Sequence, residues 1–567
     1  MNKNLLLLTA TLAAAGTAYG QSAIDAYRLS QPDMKGTARF MSMAGAFGAL
    51  GGDLSSLSQN PAGIGVYRNG DVGFTLNLDC QNATSNSQGN QFSVDQTKFL
   101  LNNIGAVFTM RLDNPTFPNV NIGFTYNKGA SFNRKYSGQV PRLNNSLSNY
   151  IAGITNSAGC TEADLLSTDS YNPWTSNAPW ISTLGYQGFL INPTGTGNDT
   201  KWWGQWDNGT SGVGSFDVEE KGSVDEYNIA IGGNISNVVY WGMNFDITNI
   251  DYTMNSRWGE TLTNAYLMDD QGEYQGDANW DLRNYYNVHG TGFNYQLGVI
   301  LKPIQEFRIG FAFHTPTWYN LTEEYMGSID YQYGDNKPGG ADTNDGELGY
   351  NDVSFRTPWK VIASMAGVIG SKFILSFDYE WQGFQKMRYS TPRNSYGWGY
   401  DDWGWDPGYD DWGYWAPSKN QAPTRAVSPN DPYYDTNSDI EYYYNSTNTF
   451  RLGAEYRVTP GFSIRAGYSY TTSPFKKSVR DDQDNIYTSG TLPNYRVDNH
   501  TEYITCGLGY RYKQFYIDAA YVYKHMNSTY HAYTPDVDYQ NNTVYPSPQS
   551  DLKLNNSQIV LTAGFRF

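Results

Sequence analysis

Nowhere does the chain offer the roughly 20 consecutive apolar residues that a membrane-crossing helix requires, and its mean hydropathy is -0.57. A helical membrane protein is thereby excluded, but a protein crossing with strands is not, because strands present lipid-facing residues only at every second position. Basic residues are also scarce: 38 Lys and Arg stand against 55 Asp and Glu, a net charge of -17. Nucleic acid, whose phosphates demand a basic surface, is excluded as a partner. With three cysteines in 567 residues, a disulfide scaffold is ruled out, although Cys80 and Cys160 fall in predicted outer loops and form a candidate pair. Cys506 reads as a small apolar strand residue. The five histidines, His289, His314, His500, His525 and His531, are too scattered to suggest a metal cluster or a Ser-His-Asp arrangement, and no haem-ligand motif appears. No enzyme is expected, and no cofactor.

What the chain does have is aromatics and alternation. It carries 47 Tyr, 26 Phe and 16 Trp, a mixture suited to a barrel with an apolar outer band and a polar lumen. In the last segment, Ile559, Leu561, Ala563, Phe565 and Phe567 fall on one strand face, with Gln558, Thr562, Gly564 and Arg566 on the other. Val560 is the exception on the polar face. At the other end, Lys3, the apolar run Leu5 to Leu8 and Ala18-Tyr19-Gly20 read as a secretory signal peptide over residues 1–20, with the mature chain beginning near Gln21. Together these place the protein in the bacterial outer membrane, in contact with its lipid and lipopolysaccharide.

Alternation predicts about fourteen strands, the first through Val72, Phe74, Leu76 and Leu78 and the last at the terminal Phe. An even number suits a single-chain bacterial barrel. Connections alternate short and long. Leu112 to Pro118, Ile235 to Val238, Lys302 to Glu306, Gly367 to Lys372, Val458 to Gly461 and Lys513 are hairpin-sized. Segments such as Asp79 to Leu100, 128–225, Asn249 to Gly290 and 382–447 read as extracellular loops. The fold expected is therefore an all-β transmembrane antiparallel barrel over 68–567, with the segment before Val72 starting at the periplasmic rim.

That segment, 21–67, is not strand-like. It runs through a small-residue stretch from Gly36 to Asp53 and then Ser58-Gln59-Asn60-Pro61-Ala62-Gly63, suited to close packing in a confined lumen and a rigid turn. In this order of leader, Ala/Gly-rich stretch, acidic residue, Asn-Pro-Ala-Gly motif and barrel, the sequence resembles the FadL/TodX outer-membrane transport family. The resemblance implies an N-terminal hatch inside the barrel, with Gly45, Asp53, Asn60, Pro61, Ala62 and Gly63 as its carried-over positions. It further implies passive uptake of a hydrophobic small molecule, such as a long-chain fatty acid or an aromatic hydrocarbon. Release would be sideways beside a kink in the third strand, near Asn121, Gly123 and Gly129, glycine being the residue that weakens a ladder.

Among residues expected to face the lumen, Arg308, His314, Arg451 and Arg465 are the ligand candidates. Either such charges pair across the lumen, or an arginine anchors a ligand carboxylate through a bidentate contact. A tandem repeat spans Gly399 to Pro417, in which Trp403, Trp405, Trp412 and Trp415 suit a binding surface. Within it Asp401, Asp402, Asp410 and Asp411 are weak Ca2+ candidates without EF-hand spacing. Such loops also fit a second reading, a surface barrel acting as an adaptor for secreted proteins.

Overall fold

Period-two alternation builds a closed wall. The computed structural model describes residues 22–31, 33–269, 272–334, 337–370, 372–392, 432–538 and 543–567. The proposed leader, and the repeat holding Trp403, Trp405, Trp412, Trp415, Asp401, Asp402, Asp410 and Asp411, lie outside these residues. Fourteen strands form the barrel: β1 (Asp71–Ser87), β2 (Asn90–Arg111), β3 (Asn119–Ser131), β4 (Ser211–Ile235), β5 (Val239–Asp269), β6 (Gly272–Ile304), β7 (Phe307–His314), β8 (Lys360–Ile369), β9 (Phe373–Gly383), β10 (Ser446–Thr459), β11 (Phe462–Thr471), β12 (Tyr495–Tyr512), β13 (Phe515–His531) and β14 (Gln549–Arg566). Each pairs antiparallel with the next, and β14 returns to β1 from Asp71↔Arg566 to Asn86↔Asp551, so no edge is left at the seam.

Within the lipid band the outward positions are apolar and exposed, as at Met243 and Ile247 on β5 and Phe293, Tyr295, Leu297 and Val299 on β6. Above it the alternation inverts. On β5, Asn249, Asp251 and Asn255 turn outward to water, while Ile250, Tyr252, Met254, Trp258 and Leu262 turn inward and are buried. β6 does the same with Val288, Tyr286 and Leu282, and β14 with Leu554 and Leu552. The segments Asp79 to Leu100 and Asn249 to Gly290, expected to be loops, are instead continuations of the strand pairs β1/β2 and β5/β6. In Asn249 to Gly290 the inverted polarity concealed the strands; in Asp79 to Leu100 both faces of β1 are largely polar, with Gln81, Ser85 and Ser87 inward and Asn82, Thr84 and Asn86 outward.

This outer storey is closed by segments from the longer connections. The strand Arg134–Val140 pairs with β4, Trp318–Tyr333 pairs with β6, and the helix Leu147–Ala158 docks beside them. They share one aromatic-rich core that includes Phe132, Phe216, Trp258, Trp280 and Tyr533. Cys160 belongs to that core, Cys80 sits on β1, and both are free thiols; the candidate disulfide is absent because the two cysteines belong to separate parts of the structure.

The described chain before β1, from Ser22, does not run up from the periplasmic rim as expected; it ends there. Its first described element is helix α1 (Ala23–Ser30) in the outer storey, buried throughout until Ser30. Tyr27 packs against Phe384, Tyr444 and Phe475 at 5.1–5.8 Å between ring centroids. The segment then descends through helix α2 (Ala38–Ser42) and the 3-10 turns Leu54–Ser58 and Pro61–Val66. At the rim, Gly70 and Phe567 exchange backbone hydrogen bonds.

Candidate functional site: a chamber above a packed plug

The lower lumen is filled to contact. Inward-facing glycines of the wall stand where the descending segment passes, because a Cβ there would meet its backbone. A methyl on Gly242 would collide with the Pro61 carbonyl, one on Gly310 with that of Gly48, and one on Gly298 with the Asn60 side chain. Gly453, Gly467 and Gly507 meet Met43 and Ser42 in the same way. Glycine is the residue for such close backbone approach. Val560, the apolar exception on β14, is buried in the cluster formed by Met34, Phe40, Met41 and Phe47.

The motif positions explain themselves locally. Asn60 donates through Nδ2 to the Gly48 carbonyl at 2.6 Å and accepts from the Ala62 N–H at 3.1 Å, tying two turns together. Pro61 starts the following 3-10 turn, where its missing N–H costs nothing. Ala62 is buried with Tyr240 and Ile300. A Cβ on Gly63 would lie 2.9 Å from Ser56 Oγ and 3.0 Å from the Gly51 Cα, so only glycine fits without movement. Asp53 accepts from Thr37 Oγ1 at 2.7 Å and from the Ser55 N–H at 3.0 Å. Gly45 adopts φ +73, a left-handed conformation natural to glycine.

Several charges in the lumen are paired. Arg465 bridges Glu455 at 2.7 Å and Asp518 at 2.6 Å, and Arg39 of the plug shares Glu455 at 3.0 Å. Arg451 places two guanidinium nitrogens on Glu380, each at 3.1 Å. Arg308 donates to the Leu50 carbonyl at 2.7 Å, and His314 Nε2 lies 2.9 Å from the Gln59 carbonyl. All four ligand candidates thus have protein partners. Arg451 and His314 line the chamber described next, whereas Arg308 and Arg465 do not.

Above the plug lies a chamber of about 260 Å3. Met34, Phe40, Ser58 and Gln59 line it from the plug, and Tyr27 and Leu29 from α1. Its wall is mostly polar, with Thr317, Thr449, Thr471, Asn294 and Gln296, and it carries Lys360, Glu226, Lys128 and Lys524. Lys524 is engaged by Asp33 at 3.1 Å and Lys128 by Asp225 at 2.5 Å. Sequence reasoning missed most of this lining. The inward parity of the threonines was readable, but their convergence below α1 depends on the path of the plug.

Beside the chamber the hydrogen-bond ladder of the barrel is interrupted. β2 and β3 pair from Arg111↔Asn119 only as far as Asn103↔Asn127, although β2 continues beside β1 to Asn90. At the same height the β3–β4 register skips between Lys128 and Ala130, a bulge at Gly129. A Cβ on Gly129 would lie 2.7 Å from Glu226 Oε1. Asn127, Lys128, Gly129 and Ala130 all line the chamber. On the part of β2 beyond this pairing, Phe99 is 68% and Leu101 40% exposed. The other two positions named for a kink serve the plug instead. Asn121 Nδ2 donates to the carbonyls of Ile64 and Tyr67, and Gly123 leaves room for Ile64 and Leu57.

A closed fourteen-stranded barrel with aromatic and aliphatic residues facing lipid is an outer-membrane protein. The model of the outer membrane protein transport family (OMPP1/FadL/TodX) matches residues 223–567, more than half of the chain, and the chain belongs to that family. Among solved structures, a Pseudomonas aeruginosa FadL homologue aligns at 12% identity and TM-score 0.49, over 94% of this chain and 99% of that one. The toluene transporter TodX of P. putida aligns at 11% identity and TM-score 0.45, with the same coverage. The monoaromatic hydrocarbon channel CymD aligns at 10% and 0.42, over 94% and 97%. No curated protein sequence matches the chain. Among the described residues no group of three or more His, Cys, Asp or Glu is placed to hold a metal ion.

Proposed function

We propose that this barrel admits hydrophobic small molecules, of the long-chain fatty acid or aromatic hydrocarbon kind, into the chamber and passes them sideways to the membrane, with residues 21–67 acting as the hatch. The observation that carries this reading is the stretch beyond Asn103↔Asn127 where β2 and β3 no longer pair, beside the Gly129 bulge: chamber-lining residues of β3 lie at one side of it, and the neighbouring part of β2 carries exposed, outward Phe99 and Leu101. A route through the floor is opposed by the glycine-to-backbone packing of the lower lumen. A polar outer leaflet resists apolar solutes, so a protein path ending in the hydrocarbon layer answers a physical need. The polar lining suits a solute with a polar head, which Arg451 or Lys360 would face; this makes an amphiphile a better fit than a bare hydrocarbon. The passage requires no catalytic step, and the reading is a channel rather than an enzyme.

The test is uptake of a labelled long-chain fatty acid and of toluene by cells carrying wild type or chamber-filled variants, Thr449→Trp and Thr317→Trp. Both should lower uptake while leaving the folded barrel's gel mobility unchanged, and undiminished uptake of both solutes would sink the reading. Exposed aromatics on the outer storey, Phe189, Trp203 and Tyr350 at 51%, 58% and 64% exposure, favour the adaptor as a second reading. It would gain if organic extracts of the purified protein were empty and secreted proteins co-purified through the loops.

A further inference from the structure

In a chain with a net charge of -17, the periplasmic mouth is basic. Arg68, Arg111, Arg308, Arg457, Arg511 and Arg566 come together there, the first at the end of the plug and the others at the periplasmic ends of β2, β7, β10, β12 and β14. Lys302 on β6 joins them. Parity turns the strand residues toward the mouth. Their outward neighbours, Met110, Tyr456, Tyr510 and Phe565, are apolar and face the lipid.

Acidic neighbours do not balance this ring. Asp71 is taken by Arg566 at 3.1 Å and by the Tyr516 hydroxyl at 3.0 Å. Glu455 is held by Arg39 and Arg465, with Arg457 only at 3.8 Å. The remaining arginines reach neutral acceptors. Arg68 donates to Asn119 Oδ1, Arg111 to the Arg68 carbonyl and Asn69 Oδ1, and Arg511 to the Lys513 carbonyl. Arg308 spends one nitrogen on the Leu50 carbonyl, and its buried Nε has no acceptor. In the turns the exposed acids Asp113 and Glu306 are matched by Lys372 and Lys513.

We propose that the periplasmic mouth is a docking site for an acidic segment of a periplasmic protein. Guanidinium forks match carboxylates in geometry as well as charge. The cations come from six separate strands and the plug, so a single small anion reaches one or two of them, whereas an extended acidic peptide reaches many at once. Phospholipid head groups are disfavoured because the cations face the mouth and apolar residues face the leaflet. Such a surface also accelerates encounter and makes it salt-sensitive. Arg68 and Arg111 fix the end of the plug, so the bound segment touches the residues that anchor it.

The experiment uses the full chain in neutral-lipid nanodiscs and a fluorescein-labelled deca-glutamate peptide, followed by anisotropy at low and at physiological salt. Wild type should bind, more weakly as salt rises. The variant Arg111→Gln/Arg308→Gln/Arg511→Gln should bind roughly tenfold or more weakly, and the outer-surface variant Lys221→Gln/Lys477→Gln should bind as wild type. Folding is checked by heat-modifiable gel mobility, and single Arg511→Gln, exposed with a neutral partner, stands in if the triple variant fails to fold, with a smaller loss expected. Absence of peptide binding at low salt would overturn the proposal. So would equal binding by the mouth variants, equal loss in the outer-surface variant, or preference for inorganic phosphate over the peptide.

Discussion

Below Ile247 and above Asn249, strand β5 obeys opposite rules. In the lower part, apolar side chains face out and polar residues or glycines face in; in the upper part, polar side chains face out and Tyr252, Met254, Trp258 and Leu262 face in. Backbone geometry is the same in both, since β5 stays paired with β4 below and above the change. What changes is the solvent outside. Lipid accepts Met243 and Ile247 and leaves the interior to hydrogen bonds, ion pairs and close backbone contact, whereas water demands polar residues outside and gathers the apolar ones inward. Stability in the upper storey is therefore that of a soluble protein core, while the lower lumen depends on fit and on pairing.

The largest effect expected is in the upper core. Trp258, 2% exposed, packs against Tyr533 and donates from Nε1 to Glu260 at 2.9 Å. Trp258→Ala should cost about 3–5 kcal/mol. The loss should appear as rapid proteolysis of the outer storey, with the heat-modifiable barrel intact. Asn255→Ala, outward on the same strand, should change stability by less than about 0.5 kcal/mol. If both variants lost the barrel itself, the two storeys would have to be one cooperative unit.

Next comes a pH effect confined to the outer storey. Glu260 is buried beyond the lipid band, accepting from Ser146 Oγ at 2.6 Å, the Leu147 N–H at 2.9 Å and Trp258 Nε1. Burial outweighs these donors and pushes its pKa up to about 7. Between roughly pH 4.5 and 7 the folded state thus holds a proton that an unfolded one releases. This contribution is complete below about pH 4.5 and is lost as pH rises through 7, on the order of 3 kcal/mol in all. Hydrogen exchange in the helix Leu147–Ala158 should accelerate from pH 5 to pH 8 beyond the intrinsic chemical trend, and Glu260→Gln should remove the excess. An excess of the opposite sign would place the carboxylate, not the acid, as the form the fold prefers.

The smallest effect expected is the one most specific to the lower storey. Gly242→Val and Gly310→Val force atoms against the Pro61 and Gly48 carbonyls and should cost about 1–3 kcal/mol each. The barrel should still fold, but the plug should become cleavable by trypsin at Arg39 and the channel should conduct ions. A silent channel in both variants would mean the wall yields rather than the plug.

Most of the wall was legible because lipid imposes one phase on every strand, down to the terminal alternation of Ile559, Leu561 and Phe565. The outer halves of β5 and β6 were not, because a reader following apolar-out residues loses the signal at Asn249 even though alternation continues. The glycine contacts left a trace that was not read: Gly242, Gly298, Gly310, Gly453, Gly467 and Gly507 all sit at inward parity. Val560 left another, an apolar residue pointing where only a packed lumen explains it. Of the ligand candidates, Arg451 and His314 reach the chamber and Arg308 and Arg465 do not. Parity gives the side of a strand but not the height at which a plug fills the lumen.

The seam carries a meaning for the order of assembly. Thr562 Oγ1 accepts from the Ala38 N–H at 2.7 Å, and Lys35 Nζ reaches Gln558 Oε1 at 2.9 Å on β14 and Asp79 at 3.0 Å on β1. The first and last strands therefore meet across residues made before either of them. A barrel closed without that segment would leave Thr562, Gln558 and Asp79 without these partners, so the seam is complete only when Lys35 and Ala38 are seated beside it.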